Sequence, residues 1–143
     1  MASILLPRLR GVVALTGYTL NTLAVGLPLL GVALMKWLVP LRAWRMACSR
    51  LLDALARGWI AVNNLNLHIL SPTCWRVEGL EGLDPRGWHL VLSNHQSWVD
   101  ILVLQRVFHR RIPFLKFFLK QELIWVPVLG LAWWALDFPF MKR

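Results

Sequence analysis

From Gly11 to Met35 the chain reads GVVALTGYTLNTLAVGLPLLGVALM, with no charged side chain. A helix needs about 20 apolar residues to cross a bilayer, so this run is long enough. Arg8 and Arg10 bound it on one side and Lys36 on the other. An uncleaved anchor fits better than a signal peptide, whose apolar core is shorter and ends in a small-residue cleavage pattern. Gly26, Pro28 and Gly31 interrupt the run. They predict either one kinked spanning helix or two shorter helices that enter part of the bilayer.

Next comes a different periodicity. Leu41, Trp44, Cys48, Leu51, Leu52, Leu55 and Trp59 recur at three- and four-residue steps. Arg42, Arg45, Ser49, Arg50, Asp53 and Arg57 fall on the opposite face, which predicts an amphipathic helix over 41–59. Such a helix either lies on a bilayer or packs its apolar face on a protein core, and the pattern serves both. Ser71-Pro72 then breaks the chain. Beyond it the pattern shortens. Cys74 to Glu78 (CWRVE) alternates as a strand does, Trp88 to Leu92 (WHLVL) reads as a mostly buried strand, and Ile112 to Leu115 as a third. Residues 98–108 suit a helix, Lys120 to Leu123 a short one, and Phe138 to Met141 a further strand. Strands alternating with helices predict an α/β layer. The division expected is a membrane region over 1–70 and an α/β domain over 71–143.

Composition sharpens the first half of this picture. The chain is 57% hydrophobic and 16% charged, with a net charge of +9 and nine tryptophans. An ordinary globular domain is nearer a quarter charged. The cations flank apolar runs beside tryptophans, which favours an anionic membrane surface over nucleic acid. Lys36, Arg42, Arg45, Arg50 and Arg57 outweigh Arg8, Arg10 and the N-terminal amine, which points the C-terminal part to the cytoplasm. Cys48 and Cys74 follow no metal spacing, and His68, His89, His95 and His109 form no HxxxH pattern, so no metal site is expected.

Chemistry concentrates in Ser93 to Asp100, SNHQSWVD. Ser97-Trp98-Val99-Asp100 fits the helix-start pattern [ST]-x-x-[DE], with Ser97 as N-cap and Asp100 three residues on. On that reading alone Asp100 only satisfies backbone N–H groups. On one continuous helix, residues five apart differ by about 140° and do not share a face. A helix beginning near Ser97 leaves His95 in the preceding loop, free to fold over the first turn and meet Asp100. A carboxylate on one ring nitrogen fixes the tautomer and leaves the other nitrogen to take a proton. That is half of a hydrolase triad. No GxSxG elbow surrounds Ser93 or Ser97, so the hydroxyl is better supplied by a substrate that attacks an acyl thioester.

NHQSWVD resembles the N-H-x-S-x-x-D block of the glycerolipid acyltransferases, the 1-acylglycerol-3-phosphate O-acyltransferase family. The downstream FLKQELIWVPVLGLAWWALDFPFMKR resembles that family's second block through Lys120, Pro127, Gly130, Phe140 and Arg143. The resemblance covers roughly 75–143 and is nearest to the bacterial inner-membrane branch. It implies N-terminal membrane helices followed by the first half of an α/β acyltransferase domain. It also implies His95 as general base, Asp100 as its orienting partner and Arg143 on the acceptor's phosphate. A guanidinium suits that task because it donates two parallel hydrogen bonds. Lys120 is read as a surface lysine. No cofactor is implied; the acyl donor is acyl-CoA or acyl carrier protein, and the acceptor is a lysophospholipid. The family's third block, E-G-[ST]-R, does not occur in these residues, so a fragment that is inactive alone is also expected. The competing reading is a non-enzymatic, membrane-anchored interaction module in which the His–Asp pattern is only a helix cap.

Overall fold

A computed structural model describes residues 2–71 and 73–142, with the side chains of 2–5 left aside. Two long antiparallel helices dominate it. Helix α1 spans Ala2–Leu38 and α2 spans Arg42–Leu70, joined by a short elbow. α1 is continuous through Pro7 and Pro28, so the apolar run is not divided into two short helices. Pro28 withholds one backbone bond. The helix survives it because Gly26, Leu29 and Ala33 are buried on either side and packing replaces what the ladder loses.

α2 buries Cys48, Leu52, Ala56, Ile60 and Asn63, spaced three or four apart. Of the apolar face expected from the sequence, Cys48 and Leu52 pack on protein while Leu41, Trp44 and Leu51 stay exposed, and the helix runs eleven residues beyond the predicted Trp59. Polar contacts carry this extension. Asn21 Nδ2 donates to Asn63 Oδ1 at 2.8 Å and to the Trp59 carbonyl at 3.0 Å. Asn66 Nδ2 donates to the Ala14 carbonyl at 2.9 Å, and Trp59 Nε1 to Thr22 Oγ1 at 3.1 Å. Near the elbow, Trp44 Nε1 donates to the Met35 carbonyl at 3.0 Å. These contacts pin the hairpin from end to end, with the buried Asn63 Nδ2 left without a partner.

The C-terminal half docks on this hairpin. Helix α3 spans Trp98–Phe108, strand β1 Leu119–Lys120, helix α4 Leu129–Ala135 and strand β2 Phe140–Met141, with a 3-10 turn over Gln121–Trp125. The strands pair in parallel, Leu119 with Phe140 and Lys120 with Met141. α4 lies in the crossover that parallel pairing requires. One core joins the halves: Leu29 and Ala33 of α1, Leu52 and Ala56 of α2, Leu119, Ala132, Ala135, Leu136 and Phe138. Phe138 anchors it, with Phe114 edge-on at 5.8 Å and Phe117 stacked at 6.4 Å.

Two close approaches fix α4. A Cβ on Gly26 would come within 2.8 Å of Val128 Cγ1, so glycine lets the turn before α4 press on α1. A Cβ on Gly130 would overlap the Ile124 carbonyl, a backbone atom with no rotamer to escape by. Between Pro127 and Gly130 the chain makes a γ-turn centred on Val128 (φ 63, ψ −54), closed by Leu129 N donating to the Pro127 carbonyl at 2.7 Å. A β-branched residue in that region is strained.

Of the expected α/β layer only one two-stranded pair forms among the described residues, and the other segments expected as strands are irregular. Residues 74–78, 88–92 and 112–115 pair with no strand among the described residues. Trp88, Leu90 and Leu92 are almost fully exposed. An alternating or apolar pattern states what a segment would bury against. A strand forms only when another strand takes up its N–H and C=O groups, and here none is adjacent. The short helix at 120–123 appears as the 3-10 turn, and of the strand at 138–141 the last two residues form.

Candidate active site

Ser97 is the N-cap of α3, with extended backbone (φ −153, ψ 166). Its Oγ accepts from Val99 N at 3.3 Å. The reciprocal contact comes from Asp100, whose Oδ2 accepts from Ser97 N at 2.7 Å and from Gln96 N at 2.6 Å. This is the capping box expected from the sequence. Beside it, His95 Nδ1 lies 3.4 Å from the same Asp100 Oδ2. That is a close polar contact, longer than a well-formed hydrogen bond. One carboxylate oxygen therefore starts the helix and faces the imidazole. The loop 93–97 folds back over the first turn because two of its N–H groups converge on Asp100.

The backbone N–H groups of Ser97 and Gln96, and then His95, hold the Asp100 carboxyl below the usual carboxylate range. Asp100 is thus ionised at neutral pH. Because its folded value is lowered, its contribution to stability is present above the ordinary carboxylate range. That contribution is lost as pH falls through the lowered value. With Nδ1 turned to Asp100, Nε2 is the ring nitrogen left for a substrate. The site is open: the His95 and Asp100 side chains are 60% and 31% exposed. At the other end of α3, burial holds His109 below the usual imidazole range, with Arg110 and Arg57 adding to the effect. Neutral at pH 7, His109 stands one helix length from His95.

Of the other residues singled out, Lys120 is exposed on β1, and Phe140 is half-buried against the core. Pro127 opens the turn before α4, and Gly130 lies in the helix's first turn. Arg143 lies outside the described residues. Sequence reasoning passed over Arg106. Its guanidinium lies 4.8 Å from the centre of the Trp75 ring and donates to the Asn64 carbonyl at 3.0 Å. It ties α3, and with it the site, to α2. The signal was an arginine inside an apolar helix, legible only once its partners were known. An apolar cavity of about 60 Å³ lies between the hairpin and α4, lined in part by Thr22, Leu29, Trp59, Phe114 and Trp133; His95 and Asp100 are not on its wall. Among the described residues no cluster of His, Cys, Asp and Glu is placed to hold a metal ion.

Compared with known families, residues 74–143 match the acyltransferase family. This segment is an acyltransferase domain. No curated protein and no solved structure gave a match. The acyltransferase domain begins four residues after α2 ends and includes α3, α4 and both strands. The N-terminal hairpin stands outside it.

Asp100→Asn separates the two uses of that carboxylate. An amide keeps an acceptor for the helix start but loses the charge that faces the imidazole. We expect thermal unfolding in the variant to change little and acyl transfer to fall by about tenfold or more. Equal turnover in variant and parent would leave Asp100 as a cap only.

Proposed function

We propose that the domain transfers a fatty acyl group from an acyl thioester to the free hydroxyl of a lysophospholipid such as 1-acylglycerol-3-phosphate. The observation that carries this reading is the His95–Asp100 contact at the start of α3, within a segment that matches the acyltransferase family. His95 Nε2 takes the hydroxyl proton as the oxygen attacks the thioester carbonyl. The tetrahedral intermediate collapses with cleavage of the C–S bond, and the proton passes to the departing thiolate. The products are an ester and a free thiol. Asp100 holds the ring and stabilises the imidazolium formed on the way. Acyl-CoA or acyl carrier protein supplies the thioester, and Arg143 is assigned to the acceptor's phosphate by the family resemblance.

We propose that the N-terminal hairpin holds this chemistry at a membrane, on the cytoplasmic face of a bacterial inner membrane. α1 is long and apolar enough to cross a bilayer, and only 22% of its most apolar window is buried by the protein. Yet α2 accompanies it from Met35 to Ala14, carrying Arg50, Asp53 and Arg57. Taking such charges to a bilayer centre costs about 3 kcal/mol each on insertion scales. A hairpin that turns α1 to the lipid and the polar face of α2 to water avoids that cost.

The test is direct. The enzyme carrying this domain, in detergent micelles with acyl-CoA and 1-acylglycerol-3-phosphate, is expected to release thiol and form diacylated product in equal amounts. Thiol release that is independent of the acceptor would indicate a thioesterase and overturn the proposal.

A further inference from the structure

Away from His95, the elbow between α1 and α2 carries a groove of about 570 Å³ lined by Lys36, Arg42, Arg45, Ser49, Arg50 and Asp137. Four cations there face one carboxylate. Lys36 Nζ is 2.9 Å from Asp137 Oδ2 and its side chain is 13% exposed, so this cation is spent on a partner. Among the described residues, Arg42, Arg45 and Arg50 have no carboxylate within ion-pair distance. Cations so placed repel one another and keep that cost until an anion arrives. Pro40 and Met46 complete its lining, and the exposed apolar residues Trp37, Leu38, Leu41 and Trp44 lie close by in sequence at the same elbow. Exposed tryptophan and leucine at an elbow that carries a cationic groove, at the end of an apolar helix, match the bilayer interface, where acyl chains give way to phosphate.

We propose that this groove binds the phosphate of an anionic phospholipid headgroup in the bilayer, and so docks the hairpin independently of the acyl acceptor. The inference rests on the membrane placement of the hairpin and not on the chemistry of His95. Asp137 is the negative element of the site. It holds Lys36 and screens the groove, so an arriving phosphate competes with it for the same ammonium.

Vesicle flotation of the enzyme tests this, with phosphatidylcholine vesicles against vesicles that also contain phosphatidylglycerol. The parent protein is expected to prefer the anionic vesicles. Arg42→Gln with Arg45→Gln should cut that preference by about fivefold per arginine. Arg8→Gln with Arg10→Gln, the same change of charge at the other end of α1, should leave most of it. Asp137→Asn should strengthen binding to anionic vesicles, because it frees Lys36. Equal losses from both arginine pairs would reduce the effect to net charge and overturn the site. So would displacement from anionic vesicles by millimolar inorganic phosphate at constant ionic strength, or binding of a DNA duplex in place of either vesicle. In micelles the elbow variants should keep acyl transfer, and His95→Ala should keep vesicle binding. The two proposals therefore fail separately.

Discussion

Replacing His95 by alanine is expected to lower acyl transfer by about 10²–10⁴-fold, the range a positioned general base contributes. The imidazole is exposed and touches the protein through one polar contact to Asp100. Its removal opens no cavity and strands no buried donor, so the fold should stay in place. Asp100 keeps its two backbone N–H donors and α3 keeps its start. The signature is thus a collapse of turnover with an unchanged circular dichroism spectrum and unfolding midpoint. Undiminished turnover would falsify the assignment of His95 as base.

Gly130→Ala is expected to act in the opposite way, through the fold. A methyl group there meets the Ile124 carbonyl, with the Leu123 carbonyl 2.9 Å away. Both obstacles are backbone, so relief requires shifting the 3-10 turn or α4, at about 3 kcal/mol. Ala132, Ala135 and Leu136 would leave the shared core with α4. The matched control is Gly31→Ala in α1, where a Cβ meets nothing within 4 Å. There the change should stabilise by about 0.5–1 kcal/mol, because glycine is a poor helix former. Denaturant unfolding of the two variants should move in opposite directions. A neutral Gly130→Ala would show that the turn is not held where the structure places it.

Legibility from sequence followed the range of each interaction. The start of α3 was readable because a capping box closes within four residues, from Ser97 to Asp100. The meeting of His95 and Asp100 followed from that start. α1 was readable from its uncharged run, and part of the core face of α2, Cys48 and Leu52, from steps of three and four. The end of α2 was not readable, since its last turns rest on Asn63 and Asn66 reaching across to Asn21 and Ala14. The strands were overread for the converse reason: alternation is local and pairing is not. The Lys36–Asp137 ion pair joins residues 101 positions apart, and no window of sequence contains both.

The asparagines between the two long helices set an order of events. The side-chain amides of Asn21 and Asn66 and the Asn63 Oδ1 find their partners only when α1 and α2 are side by side. An unpaired side-chain amide carried into hydrocarbon loses its water and gains nothing. On the membrane placement proposed above, the two helices pair before α1 meets acyl chains, and the hairpin reaches the bilayer as a closed clasp.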